Sequence, residues 1–430
     1  MDILIPIGAM FVCFAMGVPI AYSLGVAAIV GAFWIDIPLE AVMLQISSGV
    51  SKFAMLTIPF FVLAGAIMAE GGMARRLVAL ANVLVGMVRV RGGLSVVNIV
   101  ATTFLSGISG SAVADTSAIG SVMIPQMEKN GYPRVFATNV TITASVQALL
   151  VPPSHNAVIY SLATGGAISV IDLFMAGVVP GLLLGLALIL LCIVLAYRYD
   201  HPRGEPVPMR QAVGMAVEAF WGLITLMIIL GGILGGIFTA IEAGAVACVW
   251  AFFVTMFIYR DYRWSDLPAL IHRTLRTVAM VMTLIAMAAS VGYIMALMQV
   301  PAKVTAAFLT ISHDKYVILM LVNVMLLVLG CLMDMAPSIL ICTPILLPVM
   351  QNFGVNPVHF GMIMMLNLGI GLCHPPVGLI LFVGCAVGKV TMEQVMRQIW
   401  PFYAVMFGVL MMVTYIPDIS LWMVRLVAHR

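Results

Sequence analysis

Two adjacent prolines occur twice in this chain, and their surroundings recur with them. Pro152-Pro153 follows Ile124-Pro125 and Gly131, and Pro375-Pro376 follows Leu347-Pro348 and Gly354. The offset is 223 residues from 125 to 348, from 131 to 354 and from 152 to 375, in a chain of 430. Pro133 and Pro357 stand just beyond the glycine in the two copies. In each copy these markers interrupt long apolar runs, which predicts an internal duplication with helices broken at matching positions. A helix broken inside hydrocarbon frees amides and carbonyls that lipid cannot solvate, so the break survives only where it lines a cavity or holds something. Matching breaks in both halves of a membrane protein point to the substrate and ion site of a secondary transporter.

The chain is 63% hydrophobic and only 9% charged, against about 25% charged in soluble domains. That composition predicts a polytopic membrane protein. The first apolar run, Ile3 to Trp34, carries no charge and exceeds the roughly 20 residues needed to span. It reads as one retained helix, since Asp2 stands where a signal peptide would carry its basic region. Residues 197–216 carry Arg198, Arg203 and Arg210 beside Pro202, Pro206 and Pro208, a basic connector that the positive-inside rule puts on the cytoplasmic side. Arg75-Arg76, Arg89, Arg91, Arg260 and Arg263 flank other apolar segments. The cysteines all lie in apolar stretches without metal-ligand spacing and read as small buried hydrophobes. A Walker A sequence is missing, because the Gly388-Lys389 pair lacks both the spacing and the Ser/Thr.

The expected organisation is a first repeat over 1–196, the connector at 197–216 and a second repeat over 217–430. The first repeat holds the Ile3–Trp34 helix, an amphipathic stretch near Leu39 to Phe53 and a proline-interrupted segment around Ile58 to Gly65. A helix from Gly72 to Arg89 follows, lying at the interface or bracing the bundle. Then come a hairpin at about 93–131, a helix broken at 152–153 and a closing helix, Leu173 to Tyr197. The second repeat runs Trp221 to Tyr259, Leu267 to Met298, an arm near Val304 to Ile311, a hairpin at about 317–354, a helix broken at 375–376, and Trp400 to Val424. An odd number of crossings in each half would invert one repeat against the other.

Three constellations carry chemistry. The first is Ser106, Gly107, Ser109, Gly110, Ser111, Asp115 and Thr116, where glycines turn the backbone and hydroxyls offer neutral oxygen ligands. It suits a hard-cation cage. A small-residue packing face is the alternative, but such a face has no need of an intramembrane carboxylate. The second is Asp334, Pro337, Ser338 and Thr343-Pro344, with Asp334 falling on Ser111 at the repeat offset. An ion-site or gating role for Asp334 and a role capping the amides of a restarted helix are compatible. The third is the pair of breaks. Their carbonyls, at Pro152 and Pro375, would face a cation, and the new helix ends after Pro153 and Pro376 would offer amides to an anion. Ser154, His155 and Asn156 are then the side-chain candidates for an anionic substrate. His155 and His374 each also fit a structural role. Glu242, opposite Pro19 at the repeat offset, reads as the tether of another break.

At these clusters the chain resembles the large membrane subunit of the TRAP (tripartite ATP-independent periplasmic) transporters, within a wider ion-transporter fold. The residues that carry the resemblance are Pro59 to Gly65, Ser109 to Asp115, Pro152-Pro153-Ser154, Thr239 to Ala243, Met333 to Pro337 and Thr343-Pro344, spread over essentially the whole length. The resemblance implies an all-α, elevator-type transporter with two re-entrant hairpins in inverted repeats. It implies sodium sites around Ser106, Ser109 and Ser111 and around Asp334 to Ser338, with Pro152 and Pro375 giving carbonyls, and the residue reading adds Gly110, Asp115 and Thr343 to them. A small four-helix membrane subunit, a periplasmic substrate-binding protein and an organic-acid substrate are the implied partners, in a bacterial inner membrane. Two departures stand out. The family commonly reads Thr-Pro-Thr-Glu-Ala where this chain has Thr239-Ala240-Ile241-Glu242-Ala243, which softens the expected break. Where His155-Asn156 follows Pro152-Pro153-Ser154, many members continue with an apolar residue, which bears on the substrate.

The expectation is therefore sodium-coupled uptake of a carboxylate-bearing solute, with no enzymatic activity, no cofactor beyond sodium as coupling ion, and no nucleic acid. Proton coupling through Asp115 and Asp334 is the near alternative. An ion channel, or an intramembrane protease built on Gly107-Ile108-Ser109-Gly110, is the distant one. Four residues are a weak protease signal, and that reading leaves the duplicated breaks without a purpose.

Overall fold

The computed structural model describes residues 4–87, 90–202, 208–376 and 378–428. Asp2, Arg89, Arg203 and Pro206 lie outside the described residues. The first half runs α1 (Leu4–Ala15), α2 (Ile20–Trp34), α3 (Leu39–Val50), α4 (Thr57–Glu70), α5 (Met73–Gly86), α6 (Gly93–Ser109), α7 (Ala112–Lys129), α8 (Arg134–Ala144), α9 (His155–Ala163) and α10 (Val170–Arg198). The second runs α11 (Met209–Leu234), α12 (Ala240–Phe253), α13 (Leu267–Leu297), α14 (Val300–Ile311), α15 (Lys315–Leu332), α16 (Met335–Asn352), α17 (Pro357–Gly371), α18 (Leu379–Gly388), α19 (Met392–Gln398), α20 (Trp400–Tyr415) and α21 (Asp418–Ala428). Among the described residues, 7 helical segments are long and apolar enough to cross a membrane, or 9 if two bent pairs each count as one.

Three runs expected as continuous are broken. Ile3–Trp34 divides into α1 and α2, because Gly17 adopts φ +77° and Pro19, which has no amide to continue a helix, starts α2. Trp221–Tyr259 divides into α11 and α12 after Gly236, at φ +66°. There Thr239 and Glu242 form a capping box: the Thr239 amide donates to Glu242 Oε2 at 2.8 Å and the Glu242 amide to Thr239 Oγ1 at 3.3 Å. Glu242 is thus the tether of a restarted helix, and the break forms without the family's proline. Trp400–Val424 bends by 57° between α20 and α21, at Pro417.

The helices sort into two bodies. Helices α1 to α4 pack with α11 to α13, while α6 to α10 pack with α15 to α21. The short helices α5 and α14 link them, each entered through a left-handed residue, Gly72 at φ +72° and Gln299 at φ +56°. Helix α5 braces the bundle, packing on α6 and on α11. Met73, Ala74 and Leu77 are buried, and the Arg76 guanidinium lies 3.7 Å from the Tyr259 ring centroid while pairing with Asp261.

Within the second body the repeats exchange partners. Helix α7 packs on α18 of the other half, and α16 packs on α9. Buried amides pin each first hairpin arm to its own broken helix: Asn98 Nδ2 donates to Thr141 Oγ1 at 2.8 Å, and Asn367 Nδ2 to Asn323 Oδ1 at 2.8 Å. The connector is tied to both feet of the first hairpin, since the Pro202 carbonyl accepts from the Gly92 amide at 3.0 Å and from the Tyr132 hydroxyl at 3.2 Å.

Candidate functional site

The first hairpin, α6 and α7, turns at Gly110, which sits at φ +60°. A Cβ there would lie 2.6 Å from the Pro153 carbonyl oxygen, and one at Gly107 would lie 3.5 Å from that of Pro152. The glycines therefore let the hairpin tip close onto the carbonyls of the first break. Ser111 caps α7, its hydroxyl accepting from the Ala114 amide at 3.4 Å. Asp115, one turn in, is fully buried. Its carboxylate accepts from Ser106 Oγ at 2.6 Å and from Ser109 Oγ, which joins α7 to the last turn of α6. Having donated, Ser106 Oγ keeps its lone pairs free, and Ser109 Oγ keeps one beside the bond it accepts from the Ser111 amide at 3.2 Å. Two hydroxyls, a carboxylate and neighbouring carbonyls make an all-oxygen donor set of the kind hard cations take.

The second hairpin, α15 and α16, turns at Met333-Asp334. Asp334 caps α16, accepting from the Met335 amide at 2.8 Å, and its carbonyl accepts from Ser338 Oγ at 2.9 Å. Ser111 and Asp334, equivalent by the repeat offset, hold equivalent places at the head of the second hairpin arm.

Both tips and both breaks meet at one cavity of about 380 Å³. Ser109, Ser111, His155, Asn156 and Asp334 line it, with Leu372 and Leu379 from the second break. The N-terminal ends of α7, α9, α16 and α18 all open onto this space. The starts of α9 and α18 carry no side-chain cap and present free amides with the positive end of the dipole, whereas α7 is capped by Ser111 and α16 by the Asp334 carboxylate. No Lys or Arg occurs among the described residues lining the cavity, so its amide donors for an anion are chiefly the uncapped starts of α9 and α18, while Asp334 holds the start of α16. Asp334 also borders a second cavity of about 430 Å³, reached past Pro337, Pro19 and Tyr22.

Other candidates lie apart from this space. Ser154 is buried with its hydroxyl donated to the Leu149 carbonyl at 2.9 Å, so it closes the break. His374 is held inside the second break, Nδ1 at 2.8 Å from the Pro375 carbonyl oxygen and the ring stacked on Tyr403. Pro375 is half-buried and Pro376 exposed, whereas Pro152 and Pro153 are buried. Thr343 sits about 12 Å along α16 from its start, buried with its hydroxyl toward Met364 Sδ at 3.6 Å. The sequence reading missed the far wall, formed by Val62, Gly65, Ala66 and Ala69 of α4 and by Thr277, Met280 and Val281 of α13. A Cβ at Gly65 would stand 3.0 Å from the Ser109 carbonyl oxygen, and that glycine within Pro59–Gly65 was the available signal. Thr277 had none.

Two repeated halves, with hairpin tips and broken helices gathered around one cavity between two helical bodies, define the permease subunit of a membrane transporter. The chain belongs to the family described as "Tripartite ATP-independent periplasmic transporter, DctM component", which matches residues 7–419. It is a multi-pass protein of the bacterial inner membrane and a transporter subunit, not an enzyme. It is 36% identical to the C4-dicarboxylate TRAP transporter large permease protein DctM of Rhodobacter capsulatus, covering 98% of each chain. It is 34% identical to the 2,3-diketo-L-gulonate TRAP transporter large permease protein YiaN of Escherichia coli, over 97% of this chain and 98% of that one. It is 37% identical to the isethionate TRAP transporter permease protein DctMQ of Oleidesulfovibrio alaskensis, of which 67% is covered. Among solved structures, the Alcanivorax borkumensis YdaH transporter shares the fold, with a TM-score of 0.62 at 16% identity over 87% of this chain and 88% of that one.

Proposed function

We propose that this chain is the permease of a sodium-coupled uptake system for a carboxylate-bearing organic acid. The acid is delivered by a periplasmic binding protein, and a small four-helix membrane subunit completes the complex. The observation that carries the reading is the convergence of four helix N-termini on one cavity lined by no Lys or Arg among the described residues, two of them, α9 and α18, without a side-chain cap. An anion there is held by amides and helix dipoles, a recurrent arrangement at broken helices in secondary transporters. Sodium binds beside it, at the oxygens of Ser106, Ser109 and Asp115 and the carbonyls of Pro152 and Pro153. Because Gly110 closes directly onto the Pro153 carbonyl, an ion at the tip orders the hairpin and the break together, which couples its binding to that of the substrate. Transport follows when the body of α6–α10 and α15–α21 slides, loaded, against the body of α1–α4 and α11–α13. The C4-dicarboxylate and 2,3-diketo-L-gulonate permeases among the relatives support a carboxylate-bearing acid, and His155-Asn156, at the cavity, sets which one is taken.

The test is uptake of labelled organic acids into proteoliposomes holding this chain, its small membrane partner and its binding protein, with and without an inward sodium gradient. Uptake that needs both sodium and the binding protein, and is lost in Ser109→Ala, is the expected result. Uptake indifferent to sodium and driven by a pH gradient would overturn sodium coupling and move the coupling to Asp115 and Asp334.

A further inference from the structure

Apart from the two cavities that Asp334 borders, a third, chemically opposite space lies between the two bodies. It has a volume of about 210 Å³ and lies between α1, α2, α13 and the linker α14 on one side and α15 and α16 on the other. Its walls are side chains such as Met10, Leu24, Val291, Met295, Met325 and Leu340, and no charged residue, amide or hydroxyl lines it among the described residues. A water needs two to four polar partners to stay in such a place, and apolar cavities of about 150 Å³ already take benzene or xenon. Phe11, at the edge, is 49% exposed, so the space borders the surface that a bilayer would cover. Gly292 of α13 leaves room in the wall: a Cβ built there meets only Pro344, at 3.9 Å.

We propose that this cavity is a binding site for a hydrocarbon group, an acyl chain or a free apolar molecule of similar width. An occupant touches both bodies at once, α13 through Val291 and Met295 and the second hairpin through Leu340 and Ile345. It therefore holds the second hairpin against the outer body and slows any exchange that moves one past the other. This consequence rests on the sliding mechanism above, whereas the binding site does not.

The experiment uses the whole transporter complex in proteoliposomes with two photoreactive probes, a diazirine-bearing dodecane and a phosphatidylcholine carrying the diazirine in its acyl chain. Expected is labelling of Met295, Met325 or Leu340 that unlabelled dodecane competes away and that is lost in Gly292→Leu, whose side chain fills the space. Dodecane is also expected to slow uptake by the wild type and to leave Gly292→Leu unaffected. Should that variant not fold, Val304→Phe fills the cavity from α14. Labelling by the phospholipid probe assigns the occupant to the bilayer, and labelling by the alkane alone assigns it to free apolar molecules. The binding site is overturned by absence of labelling with both probes or by labelling unchanged when the cavity is filled, and its braking effect is overturned by labelling that leaves uptake unaltered. If uptake proves independent of the binding protein and of any ion gradient while the labelling persists, the transport reading fails and the site stands.

Discussion

Asp115 and Asp334 look alike in the sequence, each an acid within a membrane segment, but their surroundings give them different work. Asp115 is fully buried and takes two serine hydroxyls from the facing arm. Replacing it by Ala leaves both hydroxyls without their acceptor, at a cost of about 1–3 kcal/mol for each. Thermal unfolding of the purified complex should show that loss. Asp115→Asn keeps the volume and one acceptor oxygen, so it should unfold closer to the wild type while the sodium concentration for half-maximal uptake rises. Equal sodium dependence in Asn and wild type would remove Asp115 from the ion site. Asp334 is a helix cap, and Asn caps about as well as Asp whereas Ala costs about 1 kcal/mol. Asp334→Asn should therefore match the wild type in stability and Asp334→Ala should fall below it. If Asp334→Asn also transports normally, the cap is the whole of its role; reduced uptake at unchanged stability assigns its charge to the cavity it lines.

At the level of elements, the two hairpins are equivalent in chain order but not in packing. The first tip closes on the Pro153 carbonyl through Gly110, while the second hairpin is seated through Gly330 against Gly371, where a Cβ on Gly371 would lie 2.6 Å from the Gly330 carbonyl carbon. Gly371→Ala should thus lift α15 from α17 and destabilise by about 1–3 kcal/mol, as overpacking does, whereas Gly292→Ala, whose Cβ would make only an ordinary contact with Pro344 at 3.9 Å, should be neutral; thermal unfolding separates the two. The ends of α7 and α16 carried a local mark in the sequence, since Gly131 and Gly354, just beyond them, take φ +85° and +71° and glycine is the residue that tolerates this. The double prolines marked both breaks for the same local reason. The break at Gly17–Pro19 carried a weaker version of that punctuation and was outweighed by uninterrupted apolarity. Thr343 and the α13 wall were beyond reach for another reason: which residues face a shared cavity depends on how distant helices pack, and an apolar helix in an apolar solvent shows no amphipathic stripe to tell its buried side.

For the whole molecule the decisive question is whether the two bodies move past each other. Gly292 belongs to one and Pro344 to the other, and a Cβ on Gly292 would stand 3.9 Å from Pro344 Cβ. Disulfides form at Cβ separations of about 3.5–4.5 Å, so Gly292→Cys with Pro344→Cys should cross-link in a background freed of the native cysteines, none of which is paired here. If transport requires sliding, oxidation should abolish uptake, and a reductant should restore it, while substrate binding from the accessible side persists. A transporter that instead opened and closed only its hairpin tips around a fixed interface would keep working with the bodies tied. The single cysteine variants, oxidised alongside, show whether filling the apolar space rather than tying it is what stops the cycle: uptake lost only in the double variant assigns the effect to motion between the bodies.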